Sequence, residues 1–234
     1  MQKDKKCLIG RCGQKADYTG KFCSRVCEEL TQSEFDMQVV DDFIRYLNGL
    51  LNVSDHLRRC ILPMLWVRTF AKKERIVRSG EICTASFWLK SGYGRCFVDA
   101  KDKEGLPFEK TVRFYGPGKI AAIHSGFFND KPSPFNFELS AGAVVVPFSR
   151  SCFEKLKLNA PEAGDLANSI MAMEGVDELE KTDLLRLKAR PSYQEFLRVF
   201  GVGIEQCFAI KHIASYLEMS PNFLSRIRSE CYRK

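Results

Sequence analysis

Four cysteines near the N-terminus have the spacing of a metal site. They stand in the order Cys7-x4-Cys12-x10-Cys23-x3-Cys27, as two pairs. Zinc prefers four thiolates in a tetrahedron, commonly supplied by two short-spaced pairs. Residues 1–30 carry few apolar side chains, so this segment would need a bound metal to supply its folding energy. We therefore predict zinc at these four cysteines, with free or redox-active thiols as the alternative.

The second pair of cysteines lies in the sequence FCSRVC, which resembles the second half of treble-clef zinc fingers. In those fingers the last cysteine stands at the start of a helix, a position that falls on Cys27 here. The four-residue gap between Cys7 and Cys12 is wider than the usual gap of two. The resemblance therefore covers the second pair better than the first.

The other cysteines and the histidines are scattered singly along the chain. Free cysteine commonly packs as a small apolar residue, and we expect that of all six. None of the three histidines stands near a nucleophile in a recognisable arrangement, and no phosphate-binding loop is found. The sequence therefore does not predict an enzyme. These residues are Cys60, Cys83, Cys96, Cys152, Cys207 and Cys231, and His56, His124 and His212.

A second functional pattern lies near the C-terminus, in FAIKHIASYLEMSPNFLSRIRSE, residues 208–230. It predicts two short helices joined by a turn, with Ala214 small enough to let the second helix approach the first. Ser220 is a suitable N-cap for the second helix, and Leu224 and Ile227 supply its inward face. The turn requires a left-handed residue, which costs about 1 kcal/mol when it is not Gly. The pattern predicts a DNA-binding helix-turn-helix.

Polar side chains are left on the outward face of the second helix. Arg226 can form a bidentate pair with guanine, and Asn222 can pair with adenine. Lys211, Arg228, Arg233 and Lys234 are better suited to phosphates, which position a protein without specifying sequence. The full set of predicted DNA contacts is Lys211, Ser220, Asn222, Ser225, Arg226 and Arg228.

Charge and composition agree with a polyanionic partner. The net charge is +7, of which residues 1–30 contribute +3, residues 184–234 contribute +5 and the long middle contributes −1. Excess positive charge at the two ends favours contact with nucleic acid. No apolar run is long enough to span a membrane and no secretory signal is found, so we predict a cytoplasmic protein with reduced thiols.

The chain between these two patterns divides into helices and short strands. Residues 35–51 have helical apolar spacing, and Ser54 is the expected N-cap of a second helix that Pro63 disturbs. From about residue 65 to 148, short runs of β-formers alternate with Gly- and Pro-containing turns, which predicts an antiparallel sandwich or barrel. The runs are Ile76–Val77, Phe87–Leu89, Cys96–Val98, Lys110–Phe114, Phe135–Leu139 and Val144–Phe148.

A long helix is predicted from Pro161 to about Lys188, after a short helix that Ser149 or Ser151 begins. Its apolar positions follow the spacing of a seam that packs on a partner helix, which favours a homodimer. Asp177 and Glu180 interrupt the middle of this seam, where Val176 and Leu179 stand one place away. The seam residues are Leu166, Ile170, Met173, Leu184 and Leu187.

The order of these parts resembles the Crp/Fnr family of transcription regulators. The resemblance is carried by ERIVRSGE (74–81), YGPGK (115–119), VVPFSRSCFEKL (145–156) and IASYLEMSPNFLSRIR (213–228). It implies a dimer formed along the long helix, a β-roll with an effector pocket, and a palindromic operator. The family's recognition Arg-Glu pair falls on Pro221 and Asn222 and only its later Arg is matched, by Arg226, so the operator should differ.

The resemblance implies an α+β fold in four parts. These are a Cys-rich finger (1–32), a cyclic-nucleotide-binding-like antiparallel β-roll, or double-stranded β-helix (33–160), a dimerisation helix (161–188) and a winged helix-turn-helix-like domain (189–234). Some members sense oxygen through N-terminal cysteines, so an iron–sulfur cluster is a further alternative to zinc. Those ligands bunch more closely than the four cysteines here, and one of them lies in the β-roll.

The expected effector pocket departs from the family pattern. Ala121 or Ala122 stands where the family has a Glu for the ribose, and residues 134–136 stand where it has an Arg for the cyclic phosphate. A buried phosphate without Arg loses its charge-assisted hydrogen bonds, so cyclic AMP is not expected and any effector is a different small molecule. His124 is a candidate for such a pocket. The alternative function is a sensor that acts through protein contacts of the Cys-rich N-terminus, without DNA binding.

Overall fold

The computed structural model describes the backbone of residues 25–233 and the side chains of residues 32–233. A β-rich middle is flanked by helices on both sides. The helices are α1 (Arg25–Leu50), α2 (Asp55–Ile61), α3 (His124–Asn129), α4 (Arg150–Asn159), α5 (Ala163–Arg186), α6 (Ala189–Phe200), α7 (Ile204–Cys207), α8 (Ile210–Tyr216) and α9 (Pro221–Tyr232). The strands are β1 (Arg68–Thr69), β2 (Glu74–Val77), β3 (Ala85–Ser91), β4 (Gly94–Lys101), β5 (Pro107–Tyr115), β6 (Ile120–Ala121), β7 (Asn136–Leu139) and β8 (Val144–Ser149).

The N-terminal helices form where the apolar spacing and the cap residues predict them. The Phe43 ring of α1 is buried and lies 5.3 Å from the Trp88 ring of the β-roll, centroid to centroid. The Ser54 side chain accepts a hydrogen bond from the Leu57 amide, which confirms it as the N-cap of α2, and Pro63 lies in the 3-10 turn that follows. Helix α1 begins at Arg25, well before residue 35, where the sequence analysis began it.

The middle of the chain is a roll of two four-stranded antiparallel sheets, with strand orders β1-β8-β3-β6 and β2-β7-β4-β5. Each predicted run of β-formers lies in a strand or, in the case of Phe135, immediately before one. The sheets bury their facing side chains between them, as the 5.8 Å between the Phe87 and Phe137 ring centroids shows. The predicted α+β class with an antiparallel β-roll is therefore confirmed. Strands β1 and β6 were not predicted because two residues are too few to show alternation.

Helix α5 turns a charged face to its own β-roll and an apolar face to solvent. The Lys119 ammonium lies 2.7 Å from the Asp177 carboxylate, and the Lys181 ammonium donates to the Val112 carbonyl at 2.6 Å. Two residues of the predicted seam, Leu166 and Leu184, are instead buried in the chain's own core. The exposed apolar side chains on this helix include Met173, Val176 and Leu179, and Leu187 is exposed immediately after its end.

The C-terminal helices pack against the β-roll through an aromatic cluster. The Phe114 ring of β5 lies 5.8 Å from Phe196, 5.3 Å from Phe208 and 5.2 Å from Tyr216, centroid to centroid. The Tyr93 hydroxyl donates to the Phe200 carbonyl at 2.9 Å. Residues 189–233 contain helices α6 to α9 and no strand, so the wing predicted for this part is wrong for the described residues. No helix within residues 25–233 is both long and apolar enough to cross a membrane.

Candidate nucleic-acid interface

Helices α8 and α9 are the two short helices joined by a turn that the pattern of residues 208–230 predicts. The inward faces of the two helices are buried against each other and against α6, with Ala214, Leu224 and Ile227 among the least exposed side chains. The Ser220 hydroxyl accepts a hydrogen bond from the Phe223 amide at 3.2 Å, so Ser220 is the N-cap of α9. Glu218 in the turn has a φ of +55°, which is the left-handed conformation that the sequence predicted there. The geometry needed to present α9 is therefore in place.

The side chains predicted to contact DNA are all exposed. Asn222, Ser225 and Arg226 lie on α9 opposite the buried Leu224 and Ile227. Their positions in the first turns of α9 match the part of a recognition helix that reaches base edges in the major groove. The whole exposed set is Lys211, Ser220, Asn222, Ser225, Arg226 and Arg228.

Arg226 and Phe223 form a pair that the sequence analysis did not single out. The Arg226 guanidinium lies 5.2 Å from the Phe223 ring centroid, and Phe223 is 38% exposed. A ring beneath the guanidinium restricts its orientation without using any of its N–H donors. An exposed aromatic side chain can also contact the methyl group of thymine. Phe223 was missed because an aromatic residue in a helix is usually assigned to the core.

Arg228, a predicted phosphate contact, forms an ion pair within the protein. Its Nε lies 3.0 Å from the Glu205 carboxylate of α7. That carboxylate also accepts hydrogen bonds from the Tyr193 hydroxyl at 2.6 Å and the Tyr232 hydroxyl at 2.8 Å. The network joins α6 and α7 to α9. Arg228 therefore positions α9 as well as adding charge to its surface.

A buried arginine of the β-roll reaches the first helix of the helix-turn-helix. Arg95 on β4 is fully buried; its Nε donates to Glu138 at 2.7 Å, and its Nη2 is paired with Glu109. Its Nη1 donates to His212 Nδ1 on α8 at 2.7 Å. Because arginine only donates, His212 must be neutral and carry its proton on Nε2. A second link joins the Thr111 amide of β5 to the Ser215 hydroxyl of α8 at 3.0 Å.

Acid should weaken this link between β-roll and α8. Burial, helped by the Arg95 charge, lowers the pKa of His212 from 6.5 to about 4. The folded state therefore binds this proton less tightly than the unfolded state, so stability is full above pH 6.5 and falls as the pH drops towards 4. Urea unfolding should show up to about 2 kcal/mol of His212-dependent loss between pH 7.5 and pH 5.

The matched variant for this measurement is His212→Gln. Glutamine keeps an oxygen that can accept from Arg95, but it does not titrate in this range. Its stability should therefore change less with pH than that of the wild type. Equal pH dependence in the two proteins would show that His212 is not the titrating group.

His124 is the candidate effector residue, and it faces α5. Its Nε2 lies against the Glu174 carboxylate, and both side chains line a cavity between α3, β5 and α5. Ala122, Pro134 and Phe135, which replace family residues for the ribose and phosphate, line the same cavity. Asn136 does not, since it is buried in β7, where its amide donates to Asp99 at 3.3 Å. None of these four substituted positions supplies a cation.

The predicted metal site falls almost wholly outside the described residues. Cys7, Cys12 and Cys23 precede them, while the backbone of Cys27 lies in the first turn of α1. Within the described part of the chain, no three His, Cys, Asp or Glu side chains are arranged to hold a metal. Zinc at these cysteines therefore stays a prediction. The six scattered cysteines are free thiols, and burial raises the pKa of Cys96 to about 12 and also raises that of Cys83.

Comparison with solved structures places this architecture among known folds. A transcriptional regulator of the Crp/Fnr family from Eubacterium rectale matches with a TM-score of 0.56 and 14% identity, covering 76% of this chain and 83% of that one. The c-di-GMP-responsive global regulator CLP from Xanthomonas campestris matches with 0.54 and 12%, covering 76% and 91%. FixK2 from Bradyrhizobium japonicum matches with 0.51 and 18%, covering 71% and 83%.

Comparison by sequence and comparison by structure give different results for this chain. No protein-family model and no curated protein matches this chain. At these identities the matches concern the fold, and they span most of each solved chain. The chain therefore has the fold of the Crp/Fnr regulators that its sequence resembles.

Proposed function

We propose that this protein is a sequence-specific DNA-binding transcription regulator that acts as a homodimer. The observation that carries the proposal is α9, a capped helix whose outward side chains are polar, basic and exposed. Within the described residues Arg226 has no ion-pair partner, whereas Arg228 is paired with Glu205. A free guanidinium held over an aromatic ring on an exposed helix is suited to reading a base.

Each exposed residue has a distinct role in this proposal. Arg226 donates two hydrogen bonds to O6 and N7 of guanine, and Asn222 pairs with N6 and N7 of adenine. Lys211, and Arg228 at the edge of α9, contact phosphates. The Ser220 hydroxyl accepts from the Phe223 amide and still has its own proton to donate to a phosphate.

The polarity of α5 supports the proposed homodimer. Met173, Val176 and Leu179 are exposed on one face of this helix, while its charged residues pair with the β-roll on the other. An exposed apolar row on a long helix is a surface for another helix, and a second copy of α5 provides a matching one. Two copies of α9 would then read two halves of a palindromic site.

The test is selection of the preferred duplex from a random DNA pool, at fixed salt, with Arg226→Ala in parallel. The wild type should enrich a two-fold symmetric site. Arg226→Ala should bind that site about 10- to 100-fold more weakly per half-site contact, which corresponds to about 1–3 kcal/mol. It should also lose discrimination at one base pair in each half-site.

Arg198→Ala is the control, since Arg198 is an exposed arginine of α6 that pairs with Glu195. It should leave the selected sequence unchanged. Enrichment of no site, with zinc and iron content measured on the same sample, would overturn the proposal for the protein as purified. It would favour the sensor that acts through protein contacts.

A further inference from the structure

The cavity between α3, β5 and α5 has a lining whose chemistry differs from that of a cyclic-nucleotide pocket. Its volume is about 340 Å³, at the small end of the roughly 300–1,000 Å³ typical of ligand sites. Its lining combines polar side chains with apolar ones, among them Val112, Ile123 and Phe135. The polar residues used below are Arg113, His124, Ser125, Glu174 and Glu178.

Among the described residues, the one arginine that lines this cavity is already neutralised. Arg113 Nη1 lies 3.4 Å from Glu174, and its Nη2 is paired with Glu178. The other basic side chain, His124, faces Glu174 as well. Both basic side chains of the cavity therefore already face a carboxylate. An anionic ligand would find no unpaired cation among the described lining residues.

Three polar atoms at the same cavity lack hydrogen-bond partners. Ser125 Oγ, Glu174 Oε1 and His124 Nε2 are buried and make no hydrogen bond with any described residue, although His124 Nε2 lies against the Glu174 carboxylate. A carboxylate oxygen only accepts, so Glu174 Oε1 needs a donor. Buried polar atoms without partners are rare and are commonly satisfied by a ligand or a water. The two oxygens among these atoms can be satisfied by one group that carries several N–H donors.

We propose that this cavity binds a small organic cation with an amine or amidine head and an apolar body. The head donates hydrogen bonds to Glu174 Oε1 and Ser125 Oγ, and the body packs against Phe135 and Ile123. The assignment deepens the regulator function proposed above, because it names the chemical class of the effector. The binding itself does not depend on DNA.

A chain of contacts links the cavity to the helices that are proposed to read DNA. Glu174 lies on α5, while Arg113 lies on β5 next to Phe114, which packs among the rings of α6 and α8. A cation at Glu174 competes with Arg113 for the same carboxylate. Loosening of Arg113 would act on β5, the strand that also bonds α8 through Thr111 and Ser215.

The test is calorimetric titration of the full-length protein, without DNA, with benzylamine and with benzoate. The two probes have similar size and opposite charge. Benzylamine should bind saturably and benzoate should not. Glu174→Gln removes the charge and should weaken benzylamine binding at least about 10-fold, whereas Glu154→Gln, an exposed carboxylate of α4, should not change it.

Ser125→Ala is a second variant that leaves the ion pairs intact. It removes one neutral hydrogen bond and should weaken benzylamine binding about 2- to 10-fold, which keeps the proposal testable if Glu174→Gln does not fold. Binding of benzoate or cyclic AMP as tight as that of benzylamine would overturn the assignment. So would the absence of benzylamine binding up to about 10 mM, or unchanged affinity in both cavity variants.

These outcomes are separable from those of the DNA selection. A protein that enriches a palindromic site but ignores benzylamine would keep the regulator function and lose the ligand class. A protein that binds benzylamine but enriches no site would keep the cavity assignment and lose the function.

Discussion

Replacing Arg95 with methionine is expected to lower the free energy of unfolding by about 3–5 kcal/mol. Methionine matches much of the side-chain length and packs well, so the loss comes from charge and not from a cavity. Glu138 is 4% exposed and would keep only Lys73, whose ammonium lies 3.7 Å away. Glu109 would lose its closest partner, and His212 its donor. Urea unfolding at neutral pH measures the effect.

The double variant Arg95→Met with Glu138→Gln separates charge from packing. It removes the buried carboxylate left behind by the single change, and should therefore recover part of the lost stability. Arg198→Met, which breaks an exposed pair, should leave the free energy of unfolding unchanged within error. If Arg95→Met were no worse than Arg198→Met, the buried cluster would not hold the β-roll to α8.

Arg95 also tests whether the helix-turn-helix depends on this docking. Its contacts to Glu138 and Glu109 lie within the β-roll, but the contact to His212 joins the roll to α8. Loss of Arg95 should therefore loosen α8 as well as destabilise the sheet. Amide hydrogen exchange would show this as faster exchange in α8 than in α4, which has no contact with the cluster in the described structure.

The features of the structure that could be predicted are those formed by residues close together in sequence. Ser54 and Ser220 cap helices through amides three residues later, so the cap can be identified from a short stretch of chain. The left-handed residue in the turn before α9 was predicted on the same local grounds and falls on Glu218. The strands of four residues or more were found because turns bounded their runs of β-formers.

The parts that could not be predicted are contacts between distant segments. Nothing near Arg95 in sequence indicates that it meets His212, and nothing near Arg228 indicates Glu205. His124 was considered as a single residue in a turn, whereas its partner Glu174 comes from α5. The wing was expected from the family resemblance, which cannot show whether a given member keeps it.

In α5, tertiary contacts change the burial that apolar spacing alone predicts. Spacing alone placed Leu166 and Leu184 in the seam, and both are buried in the chain's own core because the helix packs on the β-roll. The same docking turns Asp177 inward to Lys119 and leaves Val176 and Leu179 outside. Tertiary contacts therefore decide which side of a helix is free for a partner.

Leu179→Asp is expected to dissociate the proposed dimer and to weaken binding to a palindromic site about 10²- to 10⁴-fold. Leu179 is 67% exposed, so the change should not disturb the folded monomer. In a two-fold interface the substitution is present in both copies. Each copy loses about 1.5–3 kcal/mol of stabilisation from the buried leucine side chain, and burying a carboxylate in its place adds a further cost. Light scattering after gel filtration measures the molar mass, and a binding titration measures the loss on DNA.

Leu158→Asp is the matched control, because Leu158 on α4 is 85% exposed and lies off the α5 row. It should stay dimeric and bind DNA as the wild type does. A Leu179→Asp monomer that keeps weak affinity for a half-site would assign dimerisation to α5 and base reading to α9 separately, because α9 does not contain Leu179. If Leu179→Asp stayed dimeric, the apolar row would not be the interface, and two-fold reading of an operator would have to come from another surface.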